Sequence, residues 1–168
     1  MSLSLYQTSI PQFVRMFGNL SAILDKAVAY AEERKIDPSV LLNARLAPDM
    51  HPLTRQVQIA SDVAKGCAAR LAGVEPPSFA DNESNFAELQ ARIGKTLDFI
   101  KSVTPEQINA GEGRDILLKF PNSEFSFKAP DYVLHFALPN FYFHVTTAYA
   151  ILRHNGLGIG KMDYMGAA

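Results

Sequence analysis

Apolar residues that recur every three or four positions constrain this chain more than any other feature of its sequence. They follow this spacing over residues 10–31, 53–71, 81–102 and 139–154, and each run falls on one face of a helix. Prolines, glycines and capping residues separate the runs. The pattern predicts four long amphipathic helices, which bury their apolar faces against one another most simply as an all-α four-helix bundle.

Smaller elements are predicted between the long helices. Asp37-Pro38 has the form of a cap followed by a first-turn proline, which indicates a short connecting helix. Residues 116–120 and 125–127 alternate between apolar and polar, with turn residues between them, so we expect a small β-hairpin before the last helix. Asp81 and Glu83 are expected in the first turn of the third long helix, where the helix dipole favours acids.

The length and charge of the chain limit its function classes. At 168 residues it is predicted to form one domain, spanning 1–168. Sixteen basic and 17 acidic residues give a net charge of -1, which argues against nucleic acid and anionic membranes as partners. No apolar run approaches the roughly 20 residues that cross a bilayer.

Cysteine usage and the N-terminal sequence bear on the compartment. Cys67 is the single cysteine, so an intramolecular disulfide and a cysteine-rich zinc site are both excluded, and a small core residue is its expected role. The first residues lack the features of a secretory signal. We therefore expect a cytoplasmic protein.

Histidines are the side chains whose type suggests a metal site, and we expect His51, His144 and Asn140 to form it. His144 borders the apolar face of the last helix, and Asn140 lies one turn earlier on the same edge, so both side chains can reach one bound atom. His51 lies at the start of the second long helix. Each has a structural alternative: a buried hydrogen-bonded ring for His144, a cap or network role for Asn140, and a cap or surface ring for His51.

The other two histidines are expected to be structural. His154 lies beside Arg153 in the last helical turn and faces water, where a cation interacts favourably with the helix dipole. His135 stands among apolar residues and is expected to be a buried, hydrogen-bonded ring. Neither a glycine-rich phosphate loop nor a nucleophile elbow is present, so no catalytic residue is assigned.

The C-terminal sequence resembles a known group of proteins. Residues 144–156 are similar to the closing helix of the DinB/YfiT-like superfamily of bacterial four-helix bundles, in which a histidine is followed by Leu-Arg and then Gly at fixed distances. Residues 138–144 and 160–164 resemble an uncharacterised branch of it, classed as a domain of unknown function. The resemblance extends over nearly the whole chain and implies a DinB-like bundle.

The resemblance also implies a site. His144 matches one of the two histidines that the superfamily carries on its last helix, and His51 matches the ligand near the start of helix two. Asn140 stands where the other last-helix histidine would be, which implies an altered or lost metal site. Members with the full triad include metal-dependent enzymes that act with low-molecular-weight thiols.

Two functions remain open from the sequence. The first is an enzyme that uses a divalent metal, Zn or Ni, on thiols or other small molecules. The second is a bundle without catalytic activity that holds no metal and binds a small apolar ligand or serves as a homodimeric interaction protein. In both cases we expect a homodimer, formed through the small-residue face of the second long helix or through the C-terminal tail.

Overall fold

Four long helices form the body of the protein, as the sequence predicts. The computed structural model describes residues 3–166. The long helices are α1 (Leu5–Arg34), α3 (Leu53–Ala72), α4 (Phe86–Ser102) and α7 (Leu138–His154). The shorter elements are α2 (Pro38–Leu42), α5 (Pro105–Asn109), strands β1 (Asp115–Phe120) and β2 (Ser123–Lys128), α6 (Ala129–Asp131), a π-helical segment (Tyr132–Ala137) and α8 (Lys161–Met165).

The core lies where the apolar faces of the four long helices meet. Helix α3 packs against α7 and α4, and α1 packs against α4 and α7. At the centre, the rings of Phe13 and Phe17 from α1 lie edge-on against Phe141 of α7, with centroid distances of 4.8 and 5.1 Å. This packing confirms the predicted bundle, because the residues that the helical spacing selects are the ones that are buried.

Helix α4 begins five residues later than its sequence pattern predicts. The Asn85 side chain accepts a hydrogen bond from the backbone N–H of Glu88, 2.9 Å away, and caps the helix at Phe86. Asp81 and Glu83 therefore lie in the connector between α3 and α4. The prediction that they occupy the first turn was wrong because an asparagine closer to the apolar run provides the cap.

The hairpin precedes the last helix as predicted. Strands β1 and β2 pair antiparallel, with Phe120 opposite Ser123, so that two residues form the turn. Ile116 and Leu118 of β1 are buried, while most of β2 is exposed. After the hairpin, α6, the π-helical segment and α7 follow one another without a break.

Two other expectations concern surfaces. Among the helices that the structure describes, none is both long and apolar enough to cross a membrane. The small residues of α3, Ala60, Ala64 and Cys67, are completely buried inside the bundle. The small-residue face of this helix is therefore excluded as a dimer surface, because it already packs within one chain.

Candidate functional site

Helix α3 and the helical stretch ending in α7 run in opposite directions and bring distant residues together. Near the start of α3, Gln56 bonds to His144, and near its end Arg70 bonds to Tyr132. Both Gln56 and His144 are buried, with 1% and 9% of their surfaces exposed. Their pairing places the candidate site where the beginning of α3 meets the middle of α7.

A short chain of hydrogen bonds connects the two predicted histidines. The Nδ1 atom of His144 lies 2.7 Å from the side-chain oxygen Oε1 of Gln56. The Nε2 amide of Gln56 donates to the backbone carbonyl of His51, 2.9 Å away. Gln56 therefore links the ring of His144 to the main chain of His51.

This chain of bonds determines which nitrogen of His144 carries the proton. Because the amide nitrogen of Gln56 donates to a carbonyl, its oxygen must face His144 and accept a hydrogen bond. The donor is then Nδ1–H, and in the neutral ring Nε2 keeps its lone pair. No other side chain among residues 3–166 bonds to Nε2, so this atom is free to accept a proton or to coordinate an ion.

The surroundings of His144 keep the ring neutral. Burial disfavours the imidazolium, and the positive charges of His51 and Arg55 disfavour it further, so that the pKa of His144 falls to about 4. At neutral pH the Nε2 lone pair is therefore available.

Through Gln56, the structure connects the ring of His144 to the main chain of His51, whereas Asn140 lines a different cavity. His51 is exposed just before α3, as expected for a residue at the helix start. Asn140, half-buried one turn before His144, lines a cavity together with Arg70 and Tyr132. Asn140 thus lies on the same helix as His144 but lines the cavity of Arg70 and Tyr132.

Gln56 is the residue of this site that sequence reasoning missed. It follows Leu53 by three residues and precedes Ala60 by four, so it lies on the apolar face of α3. A polar amide at such a position requires a buried hydrogen-bond partner. That signal is readable in the sequence, although the identity of the partner is not.

The remaining histidines lie away from this site. His154 is exposed in the last turn of α7, as predicted. His135 was predicted to be buried, and this was wrong: its side chain is 71% exposed, and its Nε2 lies 3.9 Å from the Asp131 carboxylate. The reason is the π-helical segment, which turns His135 outward and buries Tyr132 and Val133 instead.

The donor set fits a transition-metal ion in part. A neutral imidazole whose second nitrogen donates to a fixed oxygen is the usual arrangement of a metal-binding histidine. However, within residues 3–166 no group of three or more His, Cys, Asp or Glu side chains is arranged to hold a metal. Two imidazoles therefore are available, and Asn140 or water would have to supply the remaining ligands.

A cluster of ion pairs around a buried arginine connects α3, α4 and the segment between them, and it was also missed. The Arg92 side chain, 1% exposed, forms ion pairs with Asp62, Asp81 and Glu83 at 2.9–3.0 Å. Lys65 joins it through Asp62 at 3.0 Å. Because Asp81 and Glu83 belong to the connector, the cluster fastens the connector to α3 and α4.

Comparison with known proteins agrees with this description. The structure superimposes with a TM-score of 0.89 on the crystal structure of a DinB family member protein from Shewanella denitrificans. That protein is 43% identical, and the match covers 98% of this chain and 93% of the other. The fold is thus that of a DinB-like helical bundle.

Within that class, one family model matches nearly the whole chain. Residues 5–165 match DUF1993, a domain of unknown function, and the chain belongs to this family. No curated protein matches the chain. The predicted relationship to an uncharacterised DinB-like branch is therefore confirmed, while the relatives give no activity.

Proposed function

We propose that the protein is an enzyme acting on small molecules and that a divalent transition-metal ion, Zn or Ni, binds at His51 and His144. The observation that carries the proposal is the hydrogen bond between His144 and Gln56. It holds the ring in the tautomer that presents Nε2, and the low pKa keeps that atom unprotonated at neutral pH. A ligand that is oriented and already deprotonated needs no rearrangement before it binds an ion.

The proposal assigns a role to each residue. His144 and His51 are the imidazole ligands, Gln56 is the positioning residue, and Asn140 or water completes the coordination. A bound ion of this kind would polarise a thiol or a water molecule and lower its pKa. Low-molecular-weight thiols are the substrate class that the DinB-like resemblance implies.

Isothermal titration with ZnCl₂ and NiCl₂, on protein first treated with a chelator, tests the proposal. We expect one ion per chain for the wild type and loss of this binding in His144→Ala. His154→Ala, on the same helix, is the matched control and should bind as the wild type does. Gln56→Leu should bind roughly 10- to 100-fold more weakly, because it removes the partner that orients the ring.

Binding that survives unchanged in His144→Ala, or no binding by the wild type, would contradict the proposal. If metal affinity falls less in Gln56→Leu than in His144→Ala, Gln56 orients the ring and His144 coordinates the ion. Circular dichroism of each variant excludes unfolding as the cause.

The second candidate is a bundle without catalytic activity that binds a small apolar ligand. An open groove of about 590 Å³ between α1 and α4 favours it, with Val28, Pro38 and Phe86 among its apolar walls. In this case the hydrogen bond between His144 and Gln56 would stabilise the packing of α3 against α7. Failure of metal binding together with uptake of an apolar dye, reduced in Phe86→Ser, would support this function.

Two further properties belong to the proposal. We infer a homodimer, for which the C-terminal tail is the remaining candidate surface once the small-residue face of α3 is excluded. We also infer a cytoplasmic location, for which the single reduced cysteine, Cys67, is the supporting feature.

A further inference from the structure

A cavity of about 210 Å³ lies beside the histidine site and has a composition of its own. It is open to solvent, and helix α3, the π-helical segment, α7 and the hairpin form its walls. Its walls include Asp62, Arg70, Phe120, Tyr132, Phe136 and Asn140. The cavity combines one cation, one carboxylate, two uncharged polar groups and aromatic rings, and polar groups among apolar walls are typical of small-molecule sites.

The cation in this cavity has no acidic partner. Arg70 is half-buried, and its Nη1 donates to the hydroxyl oxygen of Tyr132 at 3.3 Å. It forms no ion pair with any carboxylate between residues 3 and 166. Asp62 lies in the same wall but is paired with Lys65 and Arg92 at 3.0 and 2.9 Å. The guanidinium charge of Arg70 is therefore not neutralised by an ion pair within the part of the chain that the structure describes.

A glycine in α3 allows the guanidinium to take this position. An added Cβ at Gly66 would lie 2.5 Å from Nη1 of Arg70. The guanidinium therefore lies directly against the backbone of Gly66, one turn earlier in the same helix. A methyl group at this position would therefore require the guanidinium to move away from the helix backbone.

Two further groups can donate hydrogen bonds into the cavity. The Tyr132 oxygen accepts from Arg70, which leaves the hydroxyl hydrogen without an acceptor among the described residues. Burial raises the pKa of Tyr132, so the hydroxyl stays protonated. The amide of Asn140 likewise has no hydrogen-bond partner within residues 3–166. The rings of Phe120 and Phe136, 6.4 Å apart, supply the apolar wall, and Phe136 stacks on the ring of Tyr132.

We propose that this cavity binds a small molecule that carries a carboxylate on an aromatic or apolar body. Arg70 pairs with the carboxylate, Tyr132 and Asn140 donate to its oxygens, and Phe120 and Phe136 contact the apolar part. Planar carboxylates match the fork of donors on a guanidinium. The site requires no metal and shares only Asn140 with the site proposed for His51 and His144, so a test on Arg70 in the presence of EDTA separates the two proposals.

Benzoate and benzamide are the probes that test this site, because they share shape and differ in charge. NMR titrations of the wild type in the presence of EDTA should show benzoate binding at least about tenfold more tightly than benzamide. The shifted signals should include those of Arg70, Tyr132 and Asn140. EDTA removes any contribution from a metal at the histidines.

Three variants identify the residue responsible. Arg70→Gln should reduce benzoate affinity by at least about tenfold. Gly66→Ala retains the arginine but displaces its guanidinium, and it should also weaken benzoate binding while leaving the helix at least as stable. Arg34→Gln is the matched control, since Arg34 lies in the last turn of another long helix, and it should bind benzoate as the wild type does.

Equal affinities for benzoate and benzamide would overturn the proposal. So would a wild type that does not bind benzoate at millimolar concentration, or an Arg70→Gln variant with unchanged affinity. If Arg70→Gln does not fold, Gly66→Ala decides: unchanged benzoate affinity there refutes the role of the guanidinium.

Discussion

The pH dependence of stability gives a direct measure of the environment of His144. Its pKa of about 4 in the folded protein lies below the ordinary value of 6.5. The unfolded chain therefore takes up a proton near pH 6.5, whereas the folded protein does so only near pH 4. Unfolding binds a proton in this window, so the contribution of His144 to stability is complete above pH 6.5 and is lost as the pH falls toward 4.

The size of this loss follows from the two pKa values. A difference between 6.5 and about 4 corresponds to at most about 3 kcal/mol, and contact of the ring with solvent at the helix edge reduces the expected value to about 1–2 kcal/mol. His144→Asn keeps a donor for Gln56 but does not titrate. The free energy of unfolding of the wild type should therefore fall by this amount more than that of His144→Asn between pH 7 and pH 4.

Urea denaturation of both proteins at several pH values measures the difference, since the carboxylates titrate equally in each. NMR of the ring nitrogens provides the second measurement: Nδ1 should carry the proton at pH 7, and the ring should titrate near pH 4. His135→Asn removes an exposed histidine and should leave the pH profile unchanged. Equal profiles for the wild type and His144→Asn, or a proton on Nε2, would refute the reasoning.

Three other predictions concern the rest of the molecule. Arg92→Met should lower the free energy of unfolding by about 1–2 kcal/mol in urea, because Glu83 loses its cation, whereas Asp62 and Asp81 are more exposed and keep Lys65 and Arg55; an unchanged free energy would contradict this. Burial raises the pKa of Cys67 to about 12, so the native protein should resist alkylation by iodoacetamide at pH 8 and react only in denaturant; rapid labelling without denaturant would show that the thiol is accessible. Light scattering behind size exclusion should give twice the 18.5 kDa mass of one chain, and a mass of one chain would exclude the homodimer.

Local features of the sequence were sufficient to predict the bundle. Helical spacing identifies the residues that face inward, and the cap at Asp37 forms where the sequence predicts it. The hairpin follows in the same way from alternation and turn chemistry. These elements are predictable because their signals lie within a few residues of one another.

The site could be predicted only in part. His51 and His144 were selected from residue type, helix face and resemblance, and in the structure Gln56 connects the ring of His144 to the main chain of His51. Gln56, which determines the tautomer of His144, lies 88 residues from it in the chain. Helical spacing shows which face a residue occupies, but not which residue of another helix stands opposite.

The sequence by itself determined the number of long helices, the faces they bury and the family to which the chain belongs. Tertiary structure alone decided that Arg92 pairs with three acids from α3 and the following connector, and that Arg70 lines a cavity but forms no ion pair with the carboxylates of residues 3–166. The physical reason is that charge pairing and burial depend on distances across the bundle. Those distances exist only after the helices have packed in one register.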